Sequence, residues 1–129
     1  MIYVDSSIGL ARVFAEDRRP SEEFWVQPIV SSRLFEYEMW SRINSLGLAR
    51  THGDTVQQIL PYMGLVEMIP SVLARALDPF PLPVRTLDAL HLATIEYLRG
   101  LGREISLASY DNRMNAVARA LGIPLANPD

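Results

Sequence analysis

Short apolar runs that alternate with longer amphipathic stretches constrain this chain more than anything else in it. Ile2–Val4, Ile29–Val30, Val66–Ile69, Glu104–Ala108 and Pro124–Ala126 read as strands, and most of the sequence between them reads as helix. That alternation is the pattern of an α/β fold built on a mainly parallel sheet, here of about five strands with about six helices. At 129 residues the expected organisation is a single domain over 1–129, large enough to bury roughly two-thirds of its unfolded surface.

Local signals place the helices. Ser6 or Ser7 can cap a first helix reaching about Glu16, and Ser31 or Ser32 a second that runs to Leu46 before Gly47 stops it. A third is expected from about Asp54 to Tyr62, with Pro61 weakening its end, and a fourth from Ser71 to Leu77. Asp78-Pro79-Phe80-Pro81-Leu82-Pro83 then reads as a surface loop, because each proline pushes the residue before it out of the α region. Thr86 can cap a fifth helix ending at Gly100 to Gly102, and Asp111 a sixth ending at Gly122.

Composition removes several function classes. No cysteine is present, so there is no disulfide framework, thiolate nucleophile or cysteine zinc site, and a reducing cytosol is the expected compartment. The opening residues hold no basic segment followed by a long apolar core, and no run approaches the ~18 apolar residues of a spanning helix, so neither export nor a membrane is expected. All 12 basic residues are arginine, which excludes a Walker-type phosphate loop and a Schiff-base enzyme, since both need lysine. A net charge of -3 argues against a broad basic face for nucleic acid. It leaves room for a nuclease whose bound cations reverse the local field at clustered acids.

Four acids are the candidates: Asp5 closes the first strand, Asp111 follows the fourth, Asp88 opens the fifth helix, and Glu38 lies inside the second. Taken singly, Asp5 and Asp111 are ordinary helix N-caps, Asp88 favours the positive end of a helix dipole, and Glu38 belongs on a solvated face. Taken together they can converge on one sheet edge. Two unit charges ~4 Å apart repel by about 4 kcal/mol at an effective dielectric of 20, so such a cluster must take up protons or divalent cations. Oxygen-only donors select Mg²⁺ or Mn²⁺ over zinc.

Met1-Ile2-Tyr3-Val4-Asp5-Ser6-Ser7, Ser32-Arg33-Leu34-Phe35-Glu36-Tyr37-Glu38, Thr86-Leu87-Asp88-Ala89-Leu90-His91-Leu92-Ala93-Thr94 and Leu107-Ala108-Ser109-Tyr110-Asp111 resemble the PIN-domain nucleases. More narrowly, they resemble the VapC-type ribonuclease toxins of toxin–antitoxin pairs. The resemblance implies a three-layer α/β/α sandwich and Mg²⁺- or Mn²⁺-dependent hydrolysis of RNA phosphodiesters. It implies Asp5 and Asp88 as the main metal ligands, Asp111 as a ligand directly or through water, and Glu38 as the group that orients or deprotonates the attacking water. It also implies an antitoxin partner that presents an Arg to the acidic site; a homodimer is expected as well, from the apolar surface.

The apolar spacing of Phe35, Met39, Ile43 and Leu46 does not decide whether Glu36 or Glu38 faces the site. Glu38 is chosen for its distance from Ser32 and for Arg42 four residues on, which resemble the family pattern; Ser109 stands where the family often has Thr. His91 reads as a hydrogen-bonded structural histidine and His52 as a loop residue. Arg12, Arg33, Arg85 and Arg113 are expected near the site edge. Trp25, Phe24, Trp40 and Tyr62, with Leu60 and Met63, supply core and a candidate groove for an antitoxin segment or a second copy. Two rivals remain. An aspartyl-phosphate enzyme would want a second Asp where Ser7 stands, and a silent binding module is disfavoured by the presence of all four acids.

Overall fold

In the computed structural model, which describes residues 1–129, four strands form one parallel sheet: β1 (Ile2–Val4), β2 (Ile29–Ser32), β3 (Met63–Val66) and β4 (Ser106–Ala108). Their order is β3-β2-β1-β4, with Tyr3 opposite both Val30 and Leu107. Six helices connect and cover them: α1 (Ser6–Val13), α2 (Arg33–Ser45), α3 (Ala49–Ile59), α4 (Pro70–Ala76), α5 (Thr86–Gly100) and α6 (Asn112–Ala120).

The two-residue period of a strand divides the core into two layers. Ile2 and Val4 face one side of β1, where Ile8, Phe35, Met39, Ile43, Val56 and Ile59 from α1, α2 and α3 pack. Tyr3 faces the other, against Leu92, Ile95, Leu98, Met114 and Val117 from α5 and α6. The result is the expected α/β/α sandwich. Gly9 allows α1 its close approach to α2, for a Cβ there would lie 2.5 Å from Phe35 Cζ.

Several element bounds differ from expectation. The third strand is Met63–Val66, not Val66–Ile69, because its partner β2 sets the register from Ile29 opposite Met63 to Ser32 opposite Val66. The fifth strand is reduced to one bridge, Leu125 against Leu107, flanked by Pro124 and Pro128, which cannot donate to a ladder. The third helix starts five residues earlier than Asp54 and takes in His52, which bonds Thr51 and lies against Phe14 rather than in a loop. It ends before a 3₁₀ turn at Leu60–Tyr62 that accommodates Pro61. The first helix ends at Val13 and is capped by Asp5, whose carboxylate reaches the Ser7 N–H, not by either serine. Arg85, whose side chain makes no bond to the helix end, stands at the cap of α5 in place of Thr86. A 3₁₀ turn over Glu22–Val26 had no counterpart in the sequence reading.

Candidate active site

The chain leaves β1 for β2 and β3 on one side and returns through β4 on the other, so the sheet's strand order reverses between β1 and β4. The carboxyl ends of strands at such a reversal form a crevice. Asp5 follows β1 there and Ser109 follows β4 directly beside it. Asp5, Glu38, Asp88 and Asp111 all line one cavity of about 500 Å³ at this edge, with Ser6, Ser7, Leu10, Arg85, Thr86 and Leu87.

Asp5 is buried and fully engaged. Its Oδ1 accepts from the Ser7 backbone N–H at 3.1 Å and the Ser7 hydroxyl at 2.5 Å, while Oδ2 accepts from the Ser109 hydroxyl at 2.5 Å. Burial pushes its carboxyl above the usual carboxylate range, and the Ser109 and Ser7 hydroxyls pull it partly back. Both serines are themselves held: Ser7 Oγ accepts from the Tyr110 N–H and Ser109 Oγ from the Asp111 N–H. These bonds tie the loop after β4 to the start of α1.

Asp111 divides its two oxygens. Oδ1 caps α6 by accepting from the Arg113 and Met114 N–H groups, and Oδ2 meets the Arg85 guanidinium at 2.8 Å. Asp88, in the first turn of α5, stands 3.5 Å from Arg85 Nε. Its carboxyl is raised, first by burial and then by the neighbouring Asp111 charge, with Arg85 acting against both.

Glu38, not Glu36, faces the cavity. Its Oε1 lies 2.5 Å from His91 Nε2 and its Oε2 accepts from the Ser6 hydroxyl at 2.9 Å, whereas Glu36 turns outward to pair with Arg33. His91 is 1% exposed, and its Nδ1 lies 2.7 Å from the Tyr3 hydroxyl. An ionised carboxylate only accepts, so Nε2 carries a proton, and in a neutral ring Nδ1 is left to accept from Tyr3. Burial raises the Tyr3 phenol well above its ordinary value, which keeps that O–H available as a donor. Tyr3, His91, Glu38 and Ser6 thereby form one continuous line of hydrogen bonds from the core to the cavity.

The PIN domain family matches residues 2–120. The chain is a PIN-domain protein. It is 33% identical over 132 aligned residues to Ribonuclease VapC46 of Mycobacterium tuberculosis, an alignment covering 98% of this chain and 97% of that protein. Its fold is similar to that of Mycobacterium tuberculosis VapC20, described as a sarcin-ricin loop cleaving toxin, with a TM-score of 0.69 at 17% identity over 99% of this chain and 100% of that one. A toxin–antitoxin complex from Klebsiella pneumoniae contains a chain that matches with a TM-score of 0.60 at 16% identity, covering 100% of this chain and 98% of its own.

The donor chemistry of this PIN-domain cavity fits a hard divalent cation. Every cavity-facing acid offers oxygen alone, and a positive group, the Arg85 guanidinium, already spans Asp88 and Asp111. No three of the acidic and histidine side chains converge on a single ion position as they stand. The reason is visible in their partners: Asp5 is held by serines, Glu38 by His91 and Ser6, and Asp88 and Asp111 by Arg85. An ion would draw on carboxylates now satisfied internally.

The four arginines expected near the site separate. Arg85 lines the cavity, and Arg113 lines a smaller cleft of about 140 Å³ beside Asp88. Arg12 instead pairs with Glu22 and lies over the Trp25 ring, and Arg33 pairs with Glu36 and Glu67, because each has acidic partners on its own side of the fold. The connection of His91 to Glu38 was not anticipated, nor was the bridge from Arg85. A partial signal existed, since Asp88 and His91 are three apart and so share one side of α5, and Arg85 immediately precedes its first turn.

Proposed function

We propose that this PIN-domain chain is a Mg²⁺- or Mn²⁺-dependent ribonuclease that hydrolyses RNA phosphodiester bonds, as the toxin of a toxin–antitoxin pair. The observation that carries this reading is the convergence of Asp5, Glu38, Asp88 and Asp111 on one cavity. The 33% identity to a ribonuclease across nearly the whole chain supports it. The chain acts as a single domain over 1–129, and the cytoplasm is its proposed compartment; no helix is long and apolar enough to cross a membrane.

Asp5 and Asp88 would hold the cation, with Asp111 contributing through the oxygen now on Arg85. When bound, the cation supplies a water of lowered pKa and neutralises charge at the phosphate. Glu38 orients the attacking water and accepts its proton, for which His91 and Ser6 hold the carboxylate still. Attack at phosphorus breaks one P–O bond, and no protein nucleophile takes part. Ser7 and Ser109 fix Asp5 at the junction of β1 and β4.

The proposed partners are RNA, a cognate antitoxin and a second copy of this chain. Of the aromatic groove candidates, Phe24 and Met63 are core and Trp40 packs over Gly53 in α3. Trp25 and Tyr62, with Val26, Ile59 and Arg12, line an open groove of about 510 Å³ on which an antitoxin segment can lie.

Incubating a mixed pool of structured RNA with the protein in Mg²⁺, Mn²⁺ or EDTA, beside Asp88→Asn, tests the reading. Metal-dependent fragments absent with the variant are expected. Intact RNA with well-folded, antitoxin-free protein under either metal would overturn the enzymatic function in favour of a silent binding module.

A further inference from the structure

Arg85 precedes α5 with an extended backbone, φ -79° and ψ 159°, and contributes no side-chain bond to the helix end. Its guanidinium reaches across the acid cavity, with Nη2 2.8 Å from Asp111 Oδ2 and Nε 3.5 Å from Asp88 Oδ2. The contacts use oxygens that α6 does not need, because Asp111 caps that helix through Oδ1 alone. One positive charge therefore joins two carboxylates from different helices.

The other arginine–carboxylate pairs lie away from this cavity: Arg12 with Glu22, Arg18 with Asp129, Arg33 with Glu36 and Glu67, and Arg75 with Glu96. The Arg85 side chain is 65% exposed while those of Asp88 and Asp111 are 19% and 23% exposed. The acids are thus held by their helices, and the cation is the member free to leave. Arg85 also borders the cleft of about 140 Å³ on the other side of Asp88, so its side chain has a place to turn without unfolding anything.

We propose that Arg85 is a built-in competitor for the divalent cation, neutralising Asp88 and Asp111 in the metal-free chain and yielding those oxygens when the ion binds. The proposal rests on the reading that this cavity takes a divalent ion. Arg85 then does two opposed things. It protects the metal-free fold from the repulsion of its own acids, and it lowers metal affinity below what the acids alone would give. A monodentate, well-exposed ion pair is weak enough to be displaced, which a buried bidentate one would not be.

Titrating metal-free protein with Mn²⁺ by calorimetry, and following thermal unfolding in EDTA, separates the possibilities. Arg85→Ala is expected to bind Mn²⁺ about fivefold more tightly, the effect of losing one screened ion pair, and to melt at a lower temperature in EDTA than wild type. Arg85→Lys should fall between the two in both measurements, and high salt should narrow the affinity difference. Arg85→Met, which keeps the aliphatic stem, replaces Arg85→Ala if that variant does not fold. Equal or weaker Mn²⁺ binding by Arg85→Ala, with wild-type binding abolished by Asp88→Asn, would overturn the competitor role and leave the metal site standing. Absence of Mn²⁺ binding in wild type and in Arg85→Ala alike would remove both.

Discussion

Replacing His91 with alanine tests the buried line from Tyr3 to Glu38. The imidazole is 1% exposed and joins the Tyr3 hydroxyl at 2.7 Å to Glu38 at 2.5 Å. Its removal opens a hole in a packed interior, for which large-to-small changes cost about 2–5 kcal/mol. It also takes from the buried Tyr3 phenol its 2.7 Å partner, at about 1–3 kcal/mol. The two costs overlap, since a hole that admits water can satisfy the phenol, so the expected loss is about 3–5 kcal/mol, a large share of the ~5–15 kcal/mol that holds a domain folded. Tyr3→Phe should cost about 1 kcal/mol in the wild-type background and nothing with His91→Ala, where the stranded hydroxyl is the defect being removed. Urea denaturation of the four proteins in EDTA gives the coupling, expected at about 1 kcal/mol or more. A Tyr3→Phe cost that is the same in both backgrounds would refute the hydrogen-bonded line.

Asp5→Asn should raise thermal stability in EDTA near neutral pH and lose that gain on acidification. With its folded pKa above that of an ordinary aspartate, the Asp5 carboxyl weakens the fold as pH rises through the folded pKa and is without cost below the unfolded one, so melting curves across acid to neutral pH that stay parallel for the two proteins would contradict it. Gly9→Ala should destabilise by about 1 kcal/mol, because overpacking of about 1–3 kcal/mol against Phe35 and Met39 exceeds the helix-propensity gain of about 1 kcal/mol; a raised denaturation midpoint would show that α1 and α2 can part at no cost.

β1 and β4 were legible because each carries apolar residues on successive positions and is followed by an acid or a serine. β3 was harder to read: Met63 and Gly64 are weak strand formers, and only pairing with β2 fixes their register. Pro124–Ala126 has extended backbone signals but adds only one bridge, which no local pattern reveals. α3 was read too short because Leu48 begins it without a side-chain cap. Asp5, Asp88 and Asp111 stood out at element ends. Glu38 did not, since its direction follows from how α2 rotates against α1 and from the distant His91. Arg12 and Arg33 were placed at the site by proximity in sequence, and Glu22 claims the first while Glu36 and Glu67 claim the second.

Asp5 and Asp111 each hold a helix start with one oxygen and give the other to a side chain beside the cavity, Ser109 for Asp5 and Arg85 for Asp111. Selection for stability therefore preserves an oxygen-bearing cap at these two positions whether or not the chain cuts anything, and asparagine serves there as well as aspartate. A descendant that had lost all activity would be expected to keep the caps and to be free to lose the charge. Glu38 and Asp88 cap nothing, and Glu38 additionally commits a buried histidine. Among chains that share this fold, survival of that second pair is the more informative mark of a working nuclease.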